Sequence, residues 1–208
     1  MAVIAAVLAT ALLSALGLAI ALLGSGEMTL AGRERTTRAL RAAAQGAAQL
    51  AIADLETMPD WTAVLTAGTS ADVAAVRARL ADATLNPRPP WGDAVIDLHV
   101  MTAQVQFAED DVHGPEDAPQ VWRLFANGPL ETVAPGGSSG PWYLAVWIAD
   151  DGADTDGDPD RDSNGAIALH AAAFGPGEAV ASVSVRVVRH VSAAGIASVR
   201  VASFRPGP

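Results

Sequence analysis

Oxygen-bearing side chains recur at every second position over a short stretch in the second half of the chain. Residues 150–165 read DDGADTDGDPDRDSNG. The alternating donors are Asp154, Asp156, Asp158, Asp160, Asp162 and Asn164. Calcium takes roughly six to eight oxygen ligands, and alternate residues of a loop can turn their carboxylates toward one ion. The spacing therefore predicts a calcium site formed by these six residues.

The end of this stretch matches only the first half of an EF-hand loop. The pattern Asp160-x-Asp162-x-Asn164-Gly165 fits, but Ala171 stands where an EF-hand has its bidentate glutamate, and a strand pattern follows instead of a helix. We therefore expect a calcium loop between two strands, which takes its last ligands from Asp150, Asp151 or backbone carbonyls. The alternative is a solvated acidic linker, because carboxylates without a cation repel one another and favour disorder.

Two other patterns have the spacing of catalytic sites but lie in the wrong context. Residues 136–140, GGSSG, fit the motif that presents a nucleophilic serine, here Ser138. That motif works between a strand and a helix, whereas prolines flank it here. His113 and Glu116 have metal-like spacing, but the Gly-Pro pair between them prevents a helix. The chain has no cysteine, which excludes disulfides, thiolate zinc sites and thiol nucleophiles.

Acidic residues dominate the charge balance. The net charge is −10, all 13 basic residues are arginine, and residues 109–117 and 150–162 together account for all of the excess negative charge. A chain of this charge with no basic stripe is a poor binder of nucleic acid. We expect neither a nucleic-acid partner nor a small-molecule substrate.

The beginning of the chain has the composition of a membrane span. Residues 1–23 contain only three residues outside the hydrophobic class, and the first charge is Glu27. As a helix rising about 1.5 Å per residue, such a run would cover the roughly 30 Å of a bilayer core. We predict a single membrane span over residues 1–26. The alternative is a signal peptide, for which residues 24–26, GSG, would serve as the cleavage site.

Helical spacing continues beyond this apolar run. Apolar and small residues recur at steps of three, four or seven from Leu30 to Met58, before Pro59. We predict that residues 27–58 form a projecting continuation of the N-terminal helix. Four arginines between Arg33 and Arg41 would by themselves place the rest of the chain in the cytoplasm, whereas a basic leader upstream of Met1 would reverse that orientation.

Residues 59–208 form the predicted globular body. A short helix is expected over residues 69–85, followed by strand patterns. The expected strands cover residues 94–107, 121–126, 142–149, 165–174, 179–191 and 196–204. The last two are expected to form a hairpin. The predicted fold class is α+β, with the long N-terminal helix, membrane-spanning in its first half, packed on the dry face of an antiparallel sheet.

Several segments together resemble PilX-type minor pilins of type IV pilus systems. The apolar run is followed by EMTLAGRERTTRALRAAAQGAAQLAIADLE, which is similar to the N-terminal region of that family. The segments WRLFANGPL, WYLAVWIADD, TDGDPDRDSNGAIALHAAAFGPG and SVRVASFRPGP resemble its body. The resemblance covers about residues 1–56 and 121–204.

The resemblance implies a pilin-like fold and a structural subunit that takes part in type IV pilus assembly, without enzymatic activity. Its partners would be other pilin subunits, bound through the N-terminal helix, and membrane lipid. The protein would be a single-pass inner-membrane protein with its body outside the cytoplasm, present in the pilus or at the cell surface after assembly. The alternative is a membrane-tethered, calcium-braced binding module or adhesin outside a pilus.

Overall fold

A single long helix opens the structure. The computed structural model describes residues 2–58, 60–66, 86–89, 91–92, 95–110, 120–133, 140–191 and 197–207. Helix α1 covers Ala2–Glu56, as the helical spacing predicts. The chain divides into two units, Met1–Ala39 and Leu40–Pro208, and α1 contributes residues to both.

In the first unit, the large apolar side chains of α1 that the structure describes are exposed. Leu13, Leu16, Leu18, Leu23 and Met28 all have more than half of their surface exposed. Among the described residues, no helix combines the length and the apolar character that crossing a membrane requires.

In the second unit, α1 packs against a sheet through small residues. Ala44, Ala47 and Ala51 are buried on α1 between the larger Leu40 and Leu55. Their steps of three and four residues place them on one helix face. Alanine lets the helix backbone approach the sheet closely, so that this face and the sheet form one core cluster.

The sheet has five antiparallel strands that follow one another in chain order. The strands are β1 (Arg123–Pro129), β2 (Tyr143–Asp150), β3 (Ala166–Phe174), β4 (Val180–Val191) and β5 (Ala197–Pro206), and the sheet order is β1-β2-β3-β4-β5. β2 is buried at all eight positions, because both of its faces are covered. The five strands confirm the sequence patterns after residue 120, and the β4–β5 hairpin is confirmed.

Alternation along the strands separates the two faces of the sheet. The inner face packs on α1 and includes Val183, Val185 and Val187, whereas the outer face carries Ser184 and Arg186 from the same strand. The wet and dry alternation predicted for this strand is confirmed.

Short elements complete the second unit. Helix α2 (Thr62–Leu65) buries Val64 and Leu65 in the inner core, helix α4 (Leu130–Val133) follows β1, and a 3₁₀ turn covers Pro176–Glu178. The helix expected over residues 69–85 lies outside the described residues.

The strand prediction for residues 94–107 is wrong. The chain there forms helix α3 (Leu98–Asp110). Asp97 fixes its start, since its Oδ1 accepts hydrogen bonds from the backbone N–H groups of His99 and Val100, both at 3.0 Å. Leu98 and Val105 then lie on one helix face and pack against the outer face of the sheet. The capping hydrogen bonds and the packing of Leu98 and Val105 therefore stabilise a helix, although apolar and polar residues alternate locally.

Candidate metal centre

The loop between β2 and β3 is held in shape by its own aspartates. Asp154, Asp156 and Asp158 each accept a hydrogen bond from the backbone N–H two residues later, with lengths between 3.0 and 3.2 Å. Aspartate favours such turns because its short carboxylate reaches the following backbone. Gly157 and Gly165 adopt positive φ angles of 71° and 74°, which glycine accepts without steric cost. The alternating aspartates therefore stabilise a series of tight turns.

Asp154 is the best-bonded carboxylate of the loop. It is buried, and its oxygens accept hydrogen bonds from the backbone N–H of Ser163 at 2.9 Å and from the Ser163 hydroxyl at 2.5 Å. Burial raises the pKa of Asp154. The hydrogen bonds from Ser163 and from the backbone N–H of Asp156 lower it by more, so the pKa of Asp154 lies below its ordinary value. Asp154 is therefore ionised at neutral pH.

Asp150, at the end of β2, is in the opposite situation. It is 3% exposed, and its Oδ1 has no hydrogen-bond partner among the described residues. Burial first, and then repulsion from Asp154, raise the pKa of Asp150 from 3.8 to about 7. A buried carboxylate oxygen with no partner is costly unless a proton or a cation supplies one.

Three carboxylates meet at this point. Asp150, Asp154 and Asp156 each offer an oxygen, and the three oxygens lie within 4.8 Å of one another. Ligands of one calcium ion lie about 2.3–2.6 Å from it, so oxygens at these separations fit around a single cation. All three donors are hard oxygens, which suit calcium or magnesium rather than softer transition metals.

The structure brings together two of the six residues predicted as ligands. Asp154 and Asp156 belong to the cluster. Asp150, which the sequence analysis names as one source of further ligands, is its third member. Asp158 accepts the hydrogen bond from the backbone N–H of Asp160, and Asp160 forms an ion pair with Arg123, the first residue of β1. That ion pair attaches the loop to the edge strand.

Asp162 and Asn164 hold the far end of the loop. Asp162 accepts hydrogen bonds from the backbone N–H groups of Gly165 and Ala166, at 2.7 and 3.2 Å. Burial raises the pKa of Asp162 despite these bonds. Asn164 donates to Asp151 at 2.7 Å. These two residues therefore position the start of β3.

The loop also contacts the segment that follows α1. The backbone N–H of Asp162 donates to the Thr62 hydroxyl at 3.3 Å. Thr62 begins α2, which is part of the inner core. The acidic loop is therefore attached at one point to the sheet and at another to the helical layer.

The remaining candidates have ordinary surroundings or cannot be placed. His113, Glu116 and Ser138 lie outside the described residues. His170, on β3, contacts the rings of Trp122 and Trp147, and its Nδ1 lies 3.0 Å from the Ser184 hydroxyl. It is thus a packed residue of the outer face.

Comparisons of the chain with protein-family models, with curated proteins and with solved structures find no match.

Proposed function

We propose that the protein is a minor-pilin-like structural subunit that takes part in type IV pilus assembly or function. The observation that supports this proposal is the difference in burial between the two parts of α1. Residues from Leu40 to Leu55 of α1 are buried against the sheet, whereas large apolar residues between Val3 and Leu30 are exposed. Exposed apolar residues in such number indicate a second partner for the helix.

Other pilin-like helices and membrane lipid are the proposed partners. A helix with apolar residues on all sides is suited to lipid or to the interior of a helical assembly. The segment similar to PilX-type minor pilins includes this part of α1, and the same resemblance covers the strands β1 to β5. We infer an inner-membrane location with the body outside the cytoplasm, and no enzymatic activity.

Site-specific cross-linking tests the proposed packing. The chain has no cysteine, so Leu18→Cys introduces a single thiol at an exposed position of α1. In cells that assemble pili, we expect it to cross-link to other pilin subunits. The matched control is Glu178→Cys, an exposed position of the body, which should give no such product. Recovery of the protein only from cytosol, or unchanged piliation after its deletion, would contradict the proposal.

We also propose that calcium braces the β2–β3 loop through Asp150, Asp154 and Asp156. The support is that Asp150 Oδ1 has no hydrogen-bond partner among the residues that the structure describes and lies beside two further carboxylates. A divalent cation there would offset both the burial and the repulsion from Asp154 that raise the pKa of Asp150. The loop would then be a rigid part of the body rather than a solvated linker.

The second candidate function is a membrane-tethered, calcium-braced binding module or adhesin outside a pilus. The metal centre favours it as much as the first, because the loop lies in the unit Leu40–Pro208 and needs no filament. Co-purification distinguishes the two candidates. Pilin subunits recovered with the protein favour the first, and a protein that fractionates with membranes without any pilin subunit favours the second.

A further inference from the structure

A group of arginines on α1 follows its exposed apolar part. We call this group the arginine cluster, and its members are Arg33, Arg35, Arg38 and Arg41. All four residues are exposed. On α1 the exposed large apolar residues end at Leu30, and Leu40 is the first buried residue in the described part of the helix. The arginine cluster therefore lies between the exposed apolar part of α1 and the part that packs on the sheet.

The positive charge of the arginine cluster is only partly neutralised by acidic residues. Residues 31–41 contain the four arginines and a single acidic residue, Glu34, which forms an ion pair with Arg38 one helical turn away. In the part of the chain that the structure describes, the other three arginines have no acidic side chain within ion-pair distance. The cluster thus retains an excess of positive charge in a chain whose net charge is −10.

The arginines are distributed around the helix instead of along one face. Successive residues of an α-helix are rotated by about 100°, so Arg33 and Arg35 lie on nearly opposite sides of α1. By the same geometry, Arg38 and Arg41 lie between those two directions. A protein surface that contacts one side of α1 reaches only part of the cluster, whereas a bilayer surrounds a helix that emerges from it and reaches every member.

Spacing along the helix axis also matches a lipid headgroup layer. Arg33 and Arg38 are about 7.5 Å apart along the axis at ~1.5 Å per residue, and the headgroups account for roughly 5–8 Å on each side of a bilayer core. Helical side chains lean toward the helix N-terminus, which here is the direction of the exposed Met28 and Leu30. The arginine stems can therefore lie along this apolar surface and hold their charged ends at headgroup level.

The guanidinium group is chemically suited to lipid phosphates. It donates paired, charge-assisted hydrogen bonds to phosphate oxygens, which an ammonium group does only as a point charge. An excess of positive charge also favours lipids with a net negative charge over zwitterionic ones. Each basic residue near an anionic membrane surface increases binding by about fivefold.

We propose that the arginine cluster binds the phosphate groups of anionic phospholipids where α1 leaves the membrane. This inference rests on membrane lipid being a partner of α1, as in the proposed function, and adds the class of lipid and the residues that recognise it. The bound headgroups fix the depth at which α1 sits in the bilayer, with the packed part of the helix beyond the headgroup layer.

Flotation of the full chain with preformed vesicles tests the proposal. The chain is diluted from detergent onto vesicles of phosphatidylcholine alone, or onto vesicles of equal parts phosphatidylcholine and phosphatidylglycerol. We expect the partition coefficient to be at least tenfold higher for the anionic vesicles at low ionic strength. The difference should shrink at high ionic strength, because salt screens interactions between exposed charges.

Two double variants with the same net charge supply the matched control. Arg33→Gln combined with Arg35→Gln should lower partitioning into the anionic vesicles at least fivefold and leave partitioning into the neutral vesicles unchanged. Arg88→Gln combined with Arg200→Gln removes two exposed arginines of the body instead. This control should change either partition coefficient less than twofold.

The outcomes separate this inference from the proposed function. Equal partitioning of the unaltered chain into both vesicles, or equal losses in the two double variants, would overturn the inference and leave a lipid-bound α1 in place. Binding to neither kind of vesicle would contradict membrane lipid as a partner, and with it the proposed function. Unchanged vesicle binding of the Arg33 and Arg35 variant, together with loss of its cross-links to pilin subunits, would overturn the inference in favour of a protein partner.

Discussion

The indole nitrogen of Trp61 donates a hydrogen bond to the backbone carbonyl oxygen of Leu55 at 3.1 Å, and both side chains are almost fully buried. Leu55 lies in the last turn of α1, where carbonyl groups lack partners within the helix. The bond therefore fastens the chain just after α1 against the end of that helix. Thr62, the next residue, accepts a hydrogen bond from the backbone N–H of Asp162, so the segment after α1 contacts the end of the acidic loop next to β3.

Replacing Trp61 with phenylalanine should destabilise this junction. The ring remains, but the hydrogen bond to Leu55 is lost at a cost of about 1 kcal/mol, and the smaller ring adds a cavity contribution. We expect the free energy of unfolding, measured in urea, to fall by more than in the control Trp91→Phe. Trp91 is half-buried and packs against the outer cluster. Equal losses in the two variants would mean that the Trp61 bond contributes nothing.

Calcium should stabilise the folded chain. Binding to the native state alone stabilises it by about 2.7 kcal/mol at a hundredfold excess over Kd, and each kcal/mol raises Tm by roughly 2–4 °C in a chain of this size. We expect this shift in differential scanning calorimetry with calcium but not with chelator. Asp154→Asn should remove it.

The matched control for the calcium experiment is Asp158→Asn. Asp158 has the same spacing in the sequence, but it lies outside the carboxylate cluster, and asparagine can still accept its hydrogen bond from Asp160. The shift in Tm should survive this change. Loss of the shift in Asp158→Asn would favour the original six-residue ligand set instead.

Stability in the presence of chelator should depend on pH through Asp150. Its pKa is raised from 3.8 to about 7, so the folded state binds this proton more strongly than the unfolded state does. The favourable contribution is full below pH 4 and is lost as pH rises through 7. We expect the free energy of unfolding to decline over this range, and Asp150→Asn to flatten the decline. An unchanged slope in the variant would assign the pH dependence to other groups.

Packing of α1 on the sheet predicts that replacing two nearby alanines with leucine has sharply different effects on the free energy of unfolding. Ala51 is fully buried in the inner core, whereas Ala53 is exposed. Ala51→Leu forces extra volume between helix and sheet and should cost about 1–3 kcal/mol. Ala53→Leu should change the unfolding free energy by less than about 0.5 kcal/mol. Similar losses measured in urea would mean that α1 does not pack as described.

Local patterns predicted the elements well where burial follows a simple period. The alternation of Val183, Val185 and Val187 with polar residues gave β4 correctly, and the helical spacing of Leu40, Ala44 and Leu55 identified the buried face of α1. Both patterns work because one face of each element meets the core along its whole length.

Other features depend on contacts that local patterns do not encode. The alternating apolar residues before Phe107 predict a strand, but Asp97 caps a helix there, and the capping bonds favour α3. Asp160 carries the ligand spacing, yet it pairs with Arg123, which is distant in sequence. Asp150 joins the carboxylate cluster because β2 ends at that residue.

The order of the strands has a consequence for how the chain acquires its structure. Each strand of the sheet β1-β2-β3-β4-β5 pairs with the strand that precedes or follows it in the chain, so every pairing closes a comparatively short loop. Short closures cost little entropy, and a low mean sequence separation of contacts is associated with fast folding. The sheet can therefore assemble hairpin by hairpin, and docking of α1, whose contacts reach much farther along the chain, is the step with the largest entropic barrier.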